Sequence, residues 1–182
     1  SNEAAFLYQL VVRMFGTNNL PDCSNMCHES SGVALTETVG IGKGSVKLDD
    51  FYKAEVIVIM GQNPGTNHPR MLTALQQAKK NGAKIITINP LAEAGLISFR
   101  HPQHPLDLVG KPSPLTDLWL PVKINEDVAL LKAMLKILVE MEHAKPGTVF
   151  DHDFIRTKTT GLESFLEDLN QFDVEALIAR SG

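Results

Sequence analysis

Cys27 and His28 are the residues in this chain best suited to chemistry. A thiol next to an imidazole, placed between the polar stretch Asn18-Asn19-Leu20-Pro21-Asp22-Cys23-Ser24-Asn25-Met26 and the small-residue run Glu29-Ser30-Ser31-Gly32, has three readings. It is a nucleophile with a base, a ligand for a soft metal, or an ordinary buried cysteine. Nucleophilic catalysis needs a thiolate, a base in hydrogen-bond reach and a group orienting that base, and neighbours in sequence usually point apart. A thiolate equally suits a redox metal, and free cysteine is among the most buried residue types. The surrounding sequence predicts that the pair sits in a loop between two helices.

The rest of the composition narrows the classes. The chain has 182 residues, two cysteines and a formal net charge of −4. That length fits one domain with an ordinary core. The mild negative balance argues against nucleic acid and against an acidic membrane surface. No run approaches the roughly 18 apolar residues of a membrane span, and no leader segment is visible. Cys23 and Cys27 cannot build a disulfide scaffold, and their spacing is not that of a zinc knuckle. A soluble, cytoplasmic protein is expected. The first helix, read over residues 3–16, starts at once, with Ser1 or Asn2 as its cap, and the chain closes on a short helix from Asp173 to Gly182. An excised piece of a larger protein is the reading.

The middle of the chain must position any site. Val56-Ile57-Val58-Ile59-Met60 is a short apolar run closed by Gly61, which predicts a strand buried on both faces. A turn, Gln62 to His68, leads to a helix opened by Pro69 and carrying Met71, Leu72, Leu75 and Ala78 on one stripe. Gly82 ends it, and residues 83–88 form a second strand before Asn89-Pro90. Strand, helix, strand makes a βαβ unit with parallel strands. Leu118 to Lys123 is a third strand, kept to an edge by Pro121. A long helix from Glu126 to about Glu142 follows, with Met134, Leu135 and Leu138 as its core stripe. The expected fold is α/β: a doubly wound, mostly parallel, Rossmann-like three-layer sandwich with a helical C-terminal tail. It forms one domain over 1–182, interrupted by a proline-rich excursion at 91–117.

Such sheets bind ligands beyond the carboxyl ends of their strands. Three loops occupy that rim: Gly61 to His68, Asn89 to Leu91, and Asn125-Glu126-Asp127. A dinucleotide fingerprint is missing from them. Gly40-Ile41-Gly42-Lys43-Gly44-Ser45 precedes the strand, so its glycines would not set a pyrophosphate on a helix N-terminus. His68 is either a ligand or only a cap beside Pro69, and Asp127 either a contact or a first-turn acid favoured by the helix dipole. His101-Pro102-Gln103-His104 reads as a solvated turn, since no carboxylate joins the two histidines.

Six stretches in order carry a resemblance. They are Ser1-Asn2-Glu3-Ala4-Ala5; Gly16-Thr17-Asn18-Asn19 leading to Asn25-Met26-Cys27-His28-Glu29-Ser30-Ser31-Gly32; Gly61-Gln62-Asn63-Pro64 through His68-Pro69; Asn81 to Ile86 with Asn89-Pro90; Asp127 to Leu131; and Asp153-Phe154-Ile155 with Thr160-Gly161. The chain resembles the second domain of the large molybdopterin-dependent oxidoreductases, in the branch that includes formate dehydrogenase catalytic subunits. The resemblance implies that Cys27 ligates a molybdenum carried by two molybdopterin guanine dinucleotides, and that His28 accepts or relays a proton. It further implies cofactor contacts at Ser1, Asn2, Gly61, Asn63, Pro64, His68, Asn89, Pro90 and Asp127. Asn89-Pro90-Leu91 departs from the family's Asp-Pro-Arg, and Asn125-Glu126 stands where the family has Gly-Thr. Any iron–sulfur cluster would belong to the parent protein, since two cysteines cannot supply four thiolates.

The implied partners are a small-molecule substrate, an electron-transfer partner and the remaining domains of the parent chain, with no nucleic acid and no membrane span. The piece alone is expected to be inactive. Two other classes stay open: a non-catalytic nucleotide-binding α/β module, and a Cys-His thiol hydrolase.

Overall fold

The computed structural model describes residues 2–20, 24–99 and 114–182. They fall in two compact units, Ser1–Lys47 and Leu48–Gly182. Ser1, Cys23 and the His101-to-His104 turn lie outside the described residues.

In the first unit, α1 spans Asn2–Met14. Asn2 is therefore its first helical residue rather than its cap. Glu3 and Arg13 complement the two ends of the helix dipole. Gly16, at φ 77°, turns the chain away. A π-helical turn, Ser24–His28, runs straight into α2, Glu29–Val39. The predicted loop around Cys27 is thus helical backbone, an end-on extension of α2. Gly40 at φ 78° closes α2 with its N–H on the Thr36 carbonyl. None of the described residues of this unit is buried.

In the second unit, α3 (Leu48–Phe51) precedes a three-stranded sheet, β1 (Val56–Met60), β2 (Lys84–Ile88) and β3 (Leu118–Leu120). The order is β1-β2-β3 and both pairings are parallel, with Ile57 opposite Ile85, and Ile86 opposite Leu118. Between β1 and β2 lie α4 (Pro64–Asn67) and α5 (Pro69–Lys80). The segment read as a plain turn therefore contains one helical turn of its own. After β2 comes α6 (Ala94–Ile97), and after β3 the tail α7 (Asp127–Ala144), α8 (His152–Lys158), α9 (Leu162–Asn170) and α10 (Val174–Ser181). The chain is α/β with a parallel sheet and a helical C-terminal tail, as its pattern predicts.

The main core joins one sheet face to α5 and α6. Ile57, Ile59, Ile85, Leu72, Leu75 and Leu96 form it. β1 alternates, however: Ile57 and Ile59 are buried, while Val56 and Val58 are 54% and 49% exposed. The expectation of burial on both faces fails for β1, although Ile88 of β2, on the same sheet face as Val58, is fully buried.

Asp117 extends the β2–β3 ladder. Its carboxylate accepts the Ile85 amide at 2.9 Å and its own N–H donates to the Ile85 carbonyl at 2.8 Å. The Ile85 amide foremost, and also Lys79 at 3.0 Å, holds its pKa below the usual carboxylate range.

The core stripe on α7 is also shifted from its predicted phase. Ala129 and Ala133 are buried, whereas Leu135 and Leu138 are each 39% exposed and Met134 is half-buried. α10 packs on the alanine side through Leu177, with Phe172 beside it. Small side chains allow a closer approach of two helices than leucines would, so they take the contact. Farther along α7, the buried Glu142 carboxylate accepts the amides of Gly147, Val149 and Phe150 and meets His152 Nε2 at 2.6 Å. The Gly147 and Phe150 amides foremost pull its pKa down to about 2. This carboxylate folds the 145–152 connection onto the end of α7.

Two measurements check this packing. Leu75 is 1% exposed, so Leu75→Ala should cost about 2–5 kcal/mol of unfolding free energy in urea titration. Glu142 has a folded pKa near 2 against an ordinary 4.5. Its stabilisation is fully present above 4.5 and fades as pH falls towards 2. Glu142→Gln should therefore be less stable than the parent sequence at neutral pH, with the gap closing across that acid range.

Candidate functional site

The carboxyl ends of the parallel strands open onto the three rim loops of the second unit. Gly61 leaves β1 at φ 65°, a left-handed turn that favours glycine, and its N–H still bonds the Ile88 carbonyl at 2.9 Å. Asn63 then caps α4: its Oδ1 accepts the Thr66 amide at 3.3 Å, and Pro64 takes the first helical position. An Asn-Pro pair at that spacing is a helix-start signal, and it was available in the sequence. Among the described residues, the amides of Gln62, Asn63 and Gly65 have no partner. Three unengaged N–H groups in one loop at the strand end are the donor set that suits an anion such as a phosphate. His68 makes no side-chain cap to α5 and is exposed. The residue still occupies the N-cap position of α5, its carbonyl accepting the Met71 amide at 2.8 Å, so it caps through its backbone while its ring is exposed.

The second loop supports the first. Asn89 is 7% exposed. Its Oδ1 accepts the Leu91 amide at 3.2 Å, its Nδ2 donates to the Gln62 carbonyl at 3.4 Å, and its carbonyl accepts the Trp119 indole N–H at 2.9 Å. The asparagine that replaces the family's aspartate is thus occupied inside the fold, while Pro90 is exposed. Farther on, Asn63 Nδ2 donates to Glu93 Oε2 at 2.6 Å. Gly65 and Gly95 face each other backbone to backbone: a Cβ on Gly95 would lie 2.9 Å from Gly65 Cα. Sequence reasoning missed Glu93 and Gly95, because a contact spanning 30 residues leaves no local pattern.

In the third loop Asn125 has φ 70°. Asparagine is among the few non-glycine residues that accept this conformation, which explains why it can stand where the family has glycine. Asp127 opens α7 and is half-buried. Glu126 pairs with Arg180 at 3.0 Å, and the Lys123 amide donates to the Ser181 carbonyl at 2.7 Å, so the C-terminal end of α10 fixes this loop.

In the first unit, Cys27 lies in the π-helical turn and its thiol is exposed. Within the described residues the thiol is not packed into a core. His28 is the residue before α2, also exposed, with no capping hydrogen bond from its ring. Isolated π-turns recur at functional sites, where they present side chains that a regular helix would turn away. Among the described residues no three His, Cys, Asp or Glu side chains converge as a metal cage, so Cys27 offers a single thiolate. The glycine-rich stretch after α2 has a packing role: a Cβ on Gly42 would lie 2.9 Å from Thr36 Oγ1 and 3.2 Å from the Gly32 carbonyl.

The parallel sheet flanked by helices makes this an α/β protein. The family model for molybdopterin oxidoreductase matches residues 1–178, and the chain belongs to that family. It is 52% identical over its full length to an uncharacterized oxidoreductase of Mycobacterium tuberculosis (strain H37Rv), covering 23% of that protein. It is 48% identical to Protein YdeP of Escherichia coli (strain K12) over 93% of this chain and 23% of the relative. Formate dehydrogenase H of Escherichia coli (strain K12) is 25% identical over 97% of this chain and 22% of that protein. The chain thus spans about a quarter of the curated relatives it matches. No described helix is long and apolar enough to cross a membrane.

The glycine contact yields a direct check. Gly95→Ala puts a methyl against Gly65 backbone, and overpacking of that kind should cost about 1–3 kcal/mol in chemical denaturation.

Proposed function

We propose that the parent protein of this chain is a molybdenum oxidoreductase that binds molybdopterin guanine dinucleotide and performs two-electron redox chemistry on a small molecule, with formate as the leading substrate class. The carrying observation is the exposed thiol of Cys27 on its π-helical turn, in a chain of the molybdopterin oxidoreductase family. When bound, the cofactor supplies the two-electron redox step. Cys27 holds its molybdenum as a thiolate, a soft donor suited to such a metal. Among the described residues Cys27 is the one thiol that would hold the metal. His28 holds or passes the proton released at the substrate, a task its imidazole can perform as donor or acceptor.

The rim of the second unit binds the nucleotide end. The open amides of Gln62, Asn63 and Gly65 and the ring of His68 face the phosphates, while Gly61 and Pro64 set the shape of that loop. Asn89, Pro90 and Asp127 line the guanosine side; Ser1 and Asn2 are further cofactor contacts that the family resemblance implies. An electron-transfer partner and the rest of the parent chain complete the enzyme, which works in the cytoplasm. Any iron–sulfur cluster lies elsewhere in that parent, and the piece alone is inactive. Formate is favoured by the likeness to formate dehydrogenase H and by the Cys-His pair.

The test is made on the full-length protein. Cys27→Ser should lower turnover by about a hundredfold or more, since ligand-shell changes commonly cost ten- to a hundredfold even one step removed from the metal. His28→Ala should lower turnover while leaving molybdenum content unchanged. Undiminished turnover in Cys27→Ser would remove the thiol from the mechanism, and active parent enzyme without molybdenum would remove the assignment.

A further inference from the structure

The loop from Gly61 to His68 is not self-supporting. Its one helical turn is four residues long, too short to hold its shape by backbone bonds alone. What fixes it comes from the segment after β2. Asn89 reaches the Gln62 carbonyl at 3.4 Å, Glu93 reaches Asn63 at 2.6 Å, and Gly95 lies against Gly65. The middle contact has a directional consequence. An ionised carboxylate accepts hydrogen bonds only, so Glu93 requires the NH₂ side of the Asn63 amide. The opposite side, Oδ1, is then aimed at the Thr66 amide, which it accepts at 3.3 Å. Turned over, the amide would set oxygen against oxygen at Glu93 and nitrogen against nitrogen at Thr66.

We propose that Glu93 is a positioning residue for cofactor binding: through the amide of Asn63 it locks the 61–68 loop in the shape that leaves the Gln62, Asn63 and Gly65 amides open to a phosphate. The inference rests on the reading of that loop as the nucleotide-facing one. An acid beside a phosphate site is unfavourable unless its charge is used elsewhere, and here it is spent on Asn63. The side chain of Asn63, with both ends of its amide engaged, is a structural relay and offers the ligand only its backbone N–H.

The experiment uses the full-length protein and two readouts. One is amide hydrogen exchange in a peptide covering residues 62–68, against one covering β2; the other is the rate at which the pterin is lost on dilution. Glu93→Ala should raise exchange in 62–68 by about tenfold or more, because a hydrogen bond to a charged group is lost, and leave β2 unchanged. It should speed pterin loss by a similar factor. Asn63→Asp sets two carboxylates together and should do the same. Glu93→Gln keeps an acceptor and should stay near the parent sequence.

The decisive variant is Asn63→Asp with Glu93→Gln, where the amide and the acid have changed places. It should restore both readouts to within about twofold, since donor and acceptor are again matched on each side. Unchanged exchange in Glu93→Ala, or a double variant no better than Asn63→Asp, overturns the positioning role. Should exchange rise and be rescued while pterin loss stays constant throughout, the relay holds and the nucleotide-facing reading of the loop is what fails.

Discussion

Parallel pairing brings the carboxyl ends of β1, β2 and β3 out side by side, at strand spacings of about 4.8 Å. Each end must then hand its backbone to a loop without leaving polar groups buried and unpaired. The rim is built around that constraint. Gly61 takes the left-handed turn that lets β1 end while its N–H still bonds Ile88. Asn89 uses its backbone and its side chain to join β2, β3 and the Gln62 carbonyl. At the other end of the sheet Asp117 supplies a side-chain acceptor where the β3 ladder stops. Among the described rim residues the amides left without a partner lie in the Gly61–His68 loop and at Asn125 and Asp127, and those are the groups a ligand can take.

The two units differ in what holds them. The second has a core of branched and aliphatic side chains between sheet and helices. The first has no buried residue among those described, and Phe6, Leu7, Val11, Met14 and Phe15 of its α1 segment are at least half exposed. Local bonds such as Thr36 Oγ1 to the Gly32 carbonyl and Thr38 Oγ1 to the Ala34 carbonyl are what organise α2. Helical segments of this length have little stability of their own in water. The exposed Cys27 and His28 are therefore carried on backbone of modest intrinsic stability.

Much of the second unit was legible because its signals are local. An unbroken branched run, a stripe at helical spacing and glycines at the ends mark β1, α5 and β2 without reference to anything distant. Where phase depends on a neighbour, the reading slipped. The α7 stripe was placed on leucines, although close helix packing favours Ala129 and Ala133. The apolar face of β1 implied cover on both sides, and Val56 and Val58 stay exposed. The rim was legible as a location but not as a mechanism. Asn63 and Asn89 were legible as polar loop residues, whereas their engagement with Glu93, Gln62 and Trp119 depends on chain segments some 30 residues away. Glu142 gave no sign at all, because an acid inside a helix looks like any solvated one until the following loop wraps it.

Trp119 is the only tryptophan in the chain. Its indole N–H is fastened to the Asn89 carbonyl, and its ring is 42% exposed. The molecule thus contains a built-in optical probe, with its polar end tied to the segment that braces the Gly61–His68 turn. Its emission wavelength responds to water around the ring and to the strength of that one bond. A ligand seated at the strand ends would alter both, and the emission of this one residue would report it.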